Sequence, residues 1–157
     1  MQTSKAFKAA FARAKGIPIE HDISGYGAIA DEATAPGSRP SDLPGLMAAS
    51  RAFMDTHRRQ GSGGKEGPDQ GEREGLVSAL ALAVDAARLG LGTEPFRIQV
   101  AAAAALSGGK VVEMATGEGK TLAAALAAAA FALRGTNVQV FTANDYLAER
   151  DAAWMAG

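Results

Sequence analysis

Between a β-branched pair, Val111-Val112, and an alanine- and leucine-rich run from Leu122 to Leu133 stands the stretch Met114-Ala115-Thr116-Gly117-Glu118-Gly119-Lys120-Thr121. It predicts a short strand, a glycine-rich turn and a helix start in immediate succession. In such a turn backbone N–H groups point outward, at a helix N-terminus whose dipole already favours an anion. Lys120 adds a charge that can reach outer phosphates, and the Thr121 hydroxyl can ligate Mg²⁺. The stretch therefore points to a nucleoside triphosphate. The general phosphate-loop pattern is G-x-x-x-x-G-K-[ST]; Met114 holds its first glycine position, so only Thr116 to Thr121 conforms.

The neighbouring segments extend the pattern. Leu76 to Leu89 reads as a helix stopped by Gly90 and Gly92. Thr93 is placed to cap a second helix over Pro95 to Leu106, ended by Ser107-Gly108-Gly109. Lys110 to Met114 is predicted as a strand, Gly119 to Arg134 as the helix after the loop, and Val138 to Thr142 as a second strand. A last helix covers Asp145 to Met155, with Thr142 and Asp145 at capping-box spacing. Strand, loop, helix and strand make a βαβ unit, which implies an α/β fold with a parallel sheet. Two strands are too few for a stable sheet, so the chain reads as an incomplete fold.

The first half has a different composition. Thr3 to Lys15 forms an amphipathic helical pattern with Phe7 and Phe11 on one face and Lys5, Lys8, Arg13 and Lys15 around them. Such a helix either packs its phenylalanines on the domain or lies on an anionic membrane or a partner. A short helix is expected around Tyr26 to Ala33 and a longer one over Leu43 to Arg58. Gly61 to Gly75 is nearly devoid of apolar residues and reads as a flexible linker. The predicted organisation is thus a helical N-terminal region over 1–60, a linker over 61–75, and a nucleotide-binding unit over 76–157.

Composition excludes more than it selects. With 16 basic and 17 acidic residues the net charge is −1, so bulk charge gives no case for nucleic acid. The absence of cysteine removes disulfides, thiolate metal sites and thiol nucleophiles. No apolar run approaches the ~18 residues of a transmembrane helix, and no secretory signal opens the chain.

Three further groups stand out. Gln99 lies 18 residues before Gly117, and its amide offers the donor and acceptor needed to read an adenine edge; a helical glutamine standing alone is more often simply solvated. Asn144 to Asp151 follows the second predicted strand, where ligands usually bind, and also fits a capped surface helix. Asp31-Glu32 superficially matches the end of a Mg²⁺-coordinating strand, but it sits upstream of the loop and reads as a surface pair of acids. His21 and His57 have no metal spacing.

Together these strings resemble the SecA preprotein translocase ATPase family. Pro95-Phe96-Arg97-Ile98-Gln99-Val100 resembles its "FDVQ" segment, and Val112 to Thr121 resembles "AEMRTGEGKT", in which Met also replaces the first glycine. Val140 to Asp151 resembles "VVTVNDYLAxRDA". The resemblance covers Leu76 to Gly157. Ala115 departs from the usual Arg, and this loop together with Arg150-Asp151-Ala152-Ala153-Trp154-Met155 is similar to the accessory SecA branch of actinobacteria.

The resemblance implies a RecA-like P-loop NTPase fold of the SecA DEAD-like motor type. It implies that Gln99 binds adenine and that Gly117, Glu118, Gly119, Lys120 and Thr121 hold the phosphates of ATP, with Thr121 on Mg²⁺ and Arg97 beside the nucleotide. It further implies protein export driven by ATP hydrolysis, with a translocon channel and preproteins as partners. The expected location is the cytoplasm, peripherally on the inner face of the cell membrane, with residues 3–15 available to anionic lipid. No catalytic residue is expected within this chain, because the Asp-Glu strand and the second motor domain are not encoded in it. An isolated chain of this kind is expected not to turn over ATP. Two rival readings are a nucleic-acid helicase motor and a standalone nucleotide-binding or membrane-docking module.

Overall fold

A computed structural model describes residues 23–37, 39–60 and 70–156. The predicted helix over 3–15 and the 61–69 part of the predicted linker lie outside the described residues. Among the described residues there are six helices: α1 (Ser24–Thr34), α2 (Leu43–Gln60), α3 (Gln70–Gly90), α4 (Arg97–Ser107), α5 (Lys120–Leu133) and α6 (Asp145–Met155).

Helix α3 is the axis of the core. Leu76, Ala79, Leu80, Ala83, Val84 and Ala87 recur at three- and four-residue spacing and are all buried, as an amphipathic helix requires. Helix α5 buries Leu122, Ala123, Leu126, Ala127 and Ala130 on the same principle, and α4 buries Val100 and Ala102 to Ala104. Helices α3, α4 and α5 pack on one another, and α1 covers α4 and α3 through Ile29, Ala30 and Ala33. The largest fully buried side chains are only Leu80, Val84 and Val100. Alanine at most remaining contacts lets backbones approach closely but removes little apolar area per residue.

Helix α3 begins at Gln70, so the Gln70 to Gly75 part of the predicted linker is helical. Tertiary contacts override the poor local propensity of Gly71 and Gly75. Arg73 donates to Glu32 of α1, with Nη1 to Oε2 at 2.8 Å. A Cβ on Gly75 would stand 2.6 Å from His57 Nε2, so glycine there admits the His57 ring of α2, which stacks on Phe53.

Connector 39–42 is anchored to α3 by charge. Buried Asp85 accepts from Arg39 Nε at 2.7 Å and Arg88 Nη2 at 3.2 Å, while Arg88 Nη2 also donates to the Pro40 carbonyl at 2.6 Å. Helix α2 starts immediately afterwards, where Asp42 Oδ1 accepts the Gly45 N–H at 2.8 Å.

Thr93 does not cap α4. Its N–H turns back to the Ala87 carbonyl and its hydroxyl to the Leu91 carbonyl, so it closes α3. Phe96 is the N-cap of α4, and its N–H is taken by the Gln99 side chain, an acceptor that Thr93 could not replace.

Helices α4 and α5 end alike. Lys110 N–H bonds the Ala105 carbonyl and Gly109 N–H the Leu106 carbonyl; Thr136 and Gly135 repeat the pair on Phe131 and Ala132. These are Schellman closures, and they place Gly109 and Gly135 at φ +71° and +85°, where a side chain would be strained. Each closure releases the chain into a segment predicted as a strand. Among the described residues, however, neither 110–114 nor 138–142 forms a strand. Strand backbone needs a partner edge, and none is present there. Val111 is fully exposed, and Val140 and Phe141 are 63% and 86% exposed. The predicted βαβ unit is therefore present in its helical part only.

Helix α6 follows with the predicted bounds. Its cap is Asn144 rather than the predicted Thr142 box: Asn144 Oδ1 accepts the Leu147 N–H at 2.9 Å. The helix buries no residue, and Tyr146 and Trp154 stand exposed.

Candidate phosphate loop

The Schellman turn at Gly109 directs the chain away from α4, and residues 110–115 lead to a turn in which Glu118 N–H bonds the Ala115 carbonyl. Helix α5 then starts at Lys120, with Gly119 as its N-cap at φ +78° and no side-chain cap on its first turn. Those uncapped N–H groups, at the positive end of the helix dipole, are what an anion would meet.

Gln99 lies beneath the loop and is only 6% exposed. Its Oε1 accepts the Phe96 N–H at 2.9 Å and its Nε2 donates to the Glu118 carbonyl at 3.0 Å. A Cβ on Gly119 would stand 2.3 Å from that Nε2, so only glycine permits this approach. Each amide atom of Gln99 is used once, which leaves one N–H and one lone pair for a further ligand.

The charged groups of the loop face its own backbone. Lys120 Nζ donates to the Met114 and Ala115 carbonyls at 2.7 and 2.8 Å. Glu118 Oε2 accepts the Ala115 N–H at 3.0 Å. Thr121 is half-buried at the second position of α5. The structure thus links Gln99, Glu118 and Lys120 through hydrogen bonds to the loop backbone, with Gly119 closely approached by Gln99 and with Gly117 and Thr121 adjoining in the chain.

Arg97 is engaged elsewhere. Its Nε and Nη2 donate to both carboxylate oxygens of Asp31 on α1, at 2.5 and 2.9 Å, and the guanidinium lies over Gly27. The charge-assisted hydrogen bond from Arg97 holds the Asp31 carboxyl below its ordinary value, against a smaller opposing desolvation effect. Arg73 does the same to Glu32. The two acids read as a surface pair are therefore exposed ion-pair partners that fasten α1 to α4 and α3. Arg97 and Asp31 are 66 positions apart, and no local signal marks the pairing.

Sequence reasoning also missed the carbonyls of Met114 and Ala115 and the Ala115 amide. Backbone groups leave no trace in residue identity, although alanine at 115 leaves only the backbone to bind there. Among the described residues no group of three or more acidic, histidine or cysteine side chains could hold a metal. The loop presents the uncapped start of α5 beside one lysine, and Thr121 is the hydroxyl side chain in that first turn.

A family model described as "SecA DEAD-like domain" matches residues 30–157. The match begins well upstream of Leu76, so the last turn of α1, all of α2 and all of α3 belong to the matched region. Protein translocase subunit SecA of Mycobacterium avium is 48% identical over 103 residues, 66% of this chain and 13% of that protein. Protein translocase subunit SecA 2 of Thermobifida fusca is 56% identical over 84 residues, 54% of this chain and 11% of its own length. SecA 2 of Mycolicibacterium smegmatis is 59% identical over 80 residues, 51% of this chain and 10% of its own length. The matched region spans about an eighth or less of these relatives. With its loop, its Gln99 helix and helices α2 to α6 inside the matched region, the chain belongs to the SecA family.

Proposed function

We propose that this chain supplies the ATP-binding part of a protein-translocation motor, in which ATP hydrolysis drives preproteins through a channel in the bacterial cytoplasmic membrane. The observation that carries this reading is the joint placement of Lys120 and the Gln99-supported Gly119 at the uncapped start of α5. Gly117, Glu118, Gly119, Lys120 and Thr121 hold the phosphates, and Gln99 reads adenine with its spare N–H and lone pair. Mg²⁺ bound with the nucleotide supplies charge neutralisation, and Thr121 is its protein ligand. Segments 110–114 and 138–142 serve as strands of the α/β P-loop sheet, which gives their exposed valines a packed partner.

The protein works at the inner face of the membrane, with the translocon and preproteins as partners. Among the described residues no helix is long and apolar enough to cross a membrane. The basic and phenylalanine residues within 3–15 suit contact with anionic lipid. We assign no catalytic residue within these 157 residues, and the isolated chain binds without turnover.

Calorimetric titration with MgATP tests this reading. The intact chain should bind, and Lys120→Ala should weaken binding tenfold or more, about 1.4 kcal/mol. Equal affinity of the two proteins, or no binding by the intact chain, would remove the reading.

A further inference from the structure

Glu118 is fixed from two directions. Its carbonyl is held down by Gln99 Nε2, and its exposed side chain nevertheless folds back to take the Ala115 N–H. The backbone carbonyls of Met114 and Ala115 hold the ammonium of Lys120. The loop therefore carries its own anion on one of its amides and its own acceptors on its only lysine. With alanine at 115, no side-chain cation competes for the Glu118 carboxylate at that position.

We propose that the Glu118 carboxylate is an internal surrogate for phosphate that makes the loop select the magnesium complex of a nucleotide over the metal-free form. This rests on the nucleotide-binding reading above. An incoming polyphosphate must displace Glu118 from Ala115 and draw Lys120 from its two carbonyls. Throughout that exchange the carboxylate stays tethered to the loop, next to the arriving negative charge. Coulomb repulsion scales with the product of charges, and a metal-free triphosphate carries more negative charge than its magnesium complex. Glu118 thus penalises the metal-free nucleotide more heavily.

Titration of the intact chain, Glu118→Gln and Glu118→Ala with ATP tests this, in excess Mg²⁺ and in chelator. Gln keeps an acceptor for the Ala115 N–H and removes only the charge. The ratio of the metal-free Kd to the magnesium Kd should fall at least threefold in both variants. The Ala115 amide resonance should shift in Glu118→Ala when no nucleotide is present. An unchanged or increased ratio in Glu118→Gln overturns the proposal while leaving nucleotide binding in place. A fall confined to Glu118→Ala overturns it as well, since the hydrogen bond and not the charge would then be responsible. If the intact chain binds neither form of ATP, the underlying nucleotide reading fails, and this proposal with it.

Discussion

Helices α4 and α6 have the same length, eleven residues, yet α4 buries five of them and α6 buries none. Both follow a turn and both carry a side-chain-to-backbone bond at their start, from Gln99 in one and Asn144 in the other. What separates them is the surface available to each. Helix α4 is enclosed by α1, α3 and α5, whereas α6 follows a segment whose Val140 and Phe141 face outward. The helical layer satisfies itself, and the segments beside it do not. Burial is therefore unevenly distributed, with the candidate phosphate loop at the seam between the two regions.

The contrast predicts a large asymmetry under truncation. Leu80→Ala, at a fully buried position of α3, should cost roughly 2–5 kcal/mol in denaturant unfolding. Leu147→Ala in α6 should cost well under about 1 kcal/mol, as surface changes do. Equal costs would show that α6 is as well packed as the core.

Gly119→Ala probes the seam. A side chain there is strained by the positive φ and collides with Gln99 Nε2, at an expected cost of about 1–3 kcal/mol. Amide exchange should report faster opening at the start of α5 and little change in α3. An alanine variant with unaltered exchange at the start of α5 would mean that Gln99 yields readily. Asn144→Ala removes the cap of a helix with few other supports and should cost about 1 kcal/mol locally. Faster exchange confined to α6 would check it, whereas a global loss of stability would break the distinction between the two regions.

The smallest effect should come from acid. Asp31 and Glu32 have carboxyls held below their ordinary values by hydrogen bonds from Arg97 and Arg73. Their contribution is present above the unfolded-state values of about 4 and is lost as pH falls through the depressed folded values. Amide exchange in α1, corrected for its intrinsic pH dependence, should therefore accelerate as pH drops below about 4. Asp31→Asn with Glu32→Gln should flatten that response. Both pairs are exposed, so the change is small beside that of a core truncation.

Much of the helical layer was legible because its signal is local. The Leu76 to Ala87 stripe, the Ala/Leu run after Lys120 and the glycines after α4 and α5 each mark an element without reference to the rest. The start of α3 was not legible, because Gly71 and Gly75 argue against a helix until Arg73 meets Glu32 and His57 fills the space above Gly75. The predicted strands do not form among the described residues for the opposite reason. Val111-Val112 and Val138 to Thr142 carry β propensity, but a strand is defined by its neighbour. Within the candidate site, residue types were readable at Gly117, Gly119, Lys120 and Thr121. The hold of Gln99 on Glu118 and the diversion of Arg97 to Asp31 depend on how helices cross, which residue order alone does not encode.

Trp154 is the chain's single tryptophan and sits half-exposed on α6, the helix with the least burial. Indole emission will therefore report the detachment of one marginal helix, while the alanine-rich core remains spectroscopically silent in that channel. A fluorescence melt should run ahead of the far-ultraviolet dichroism melt, and the gap between the two midpoints would measure how independently α6 comes loose.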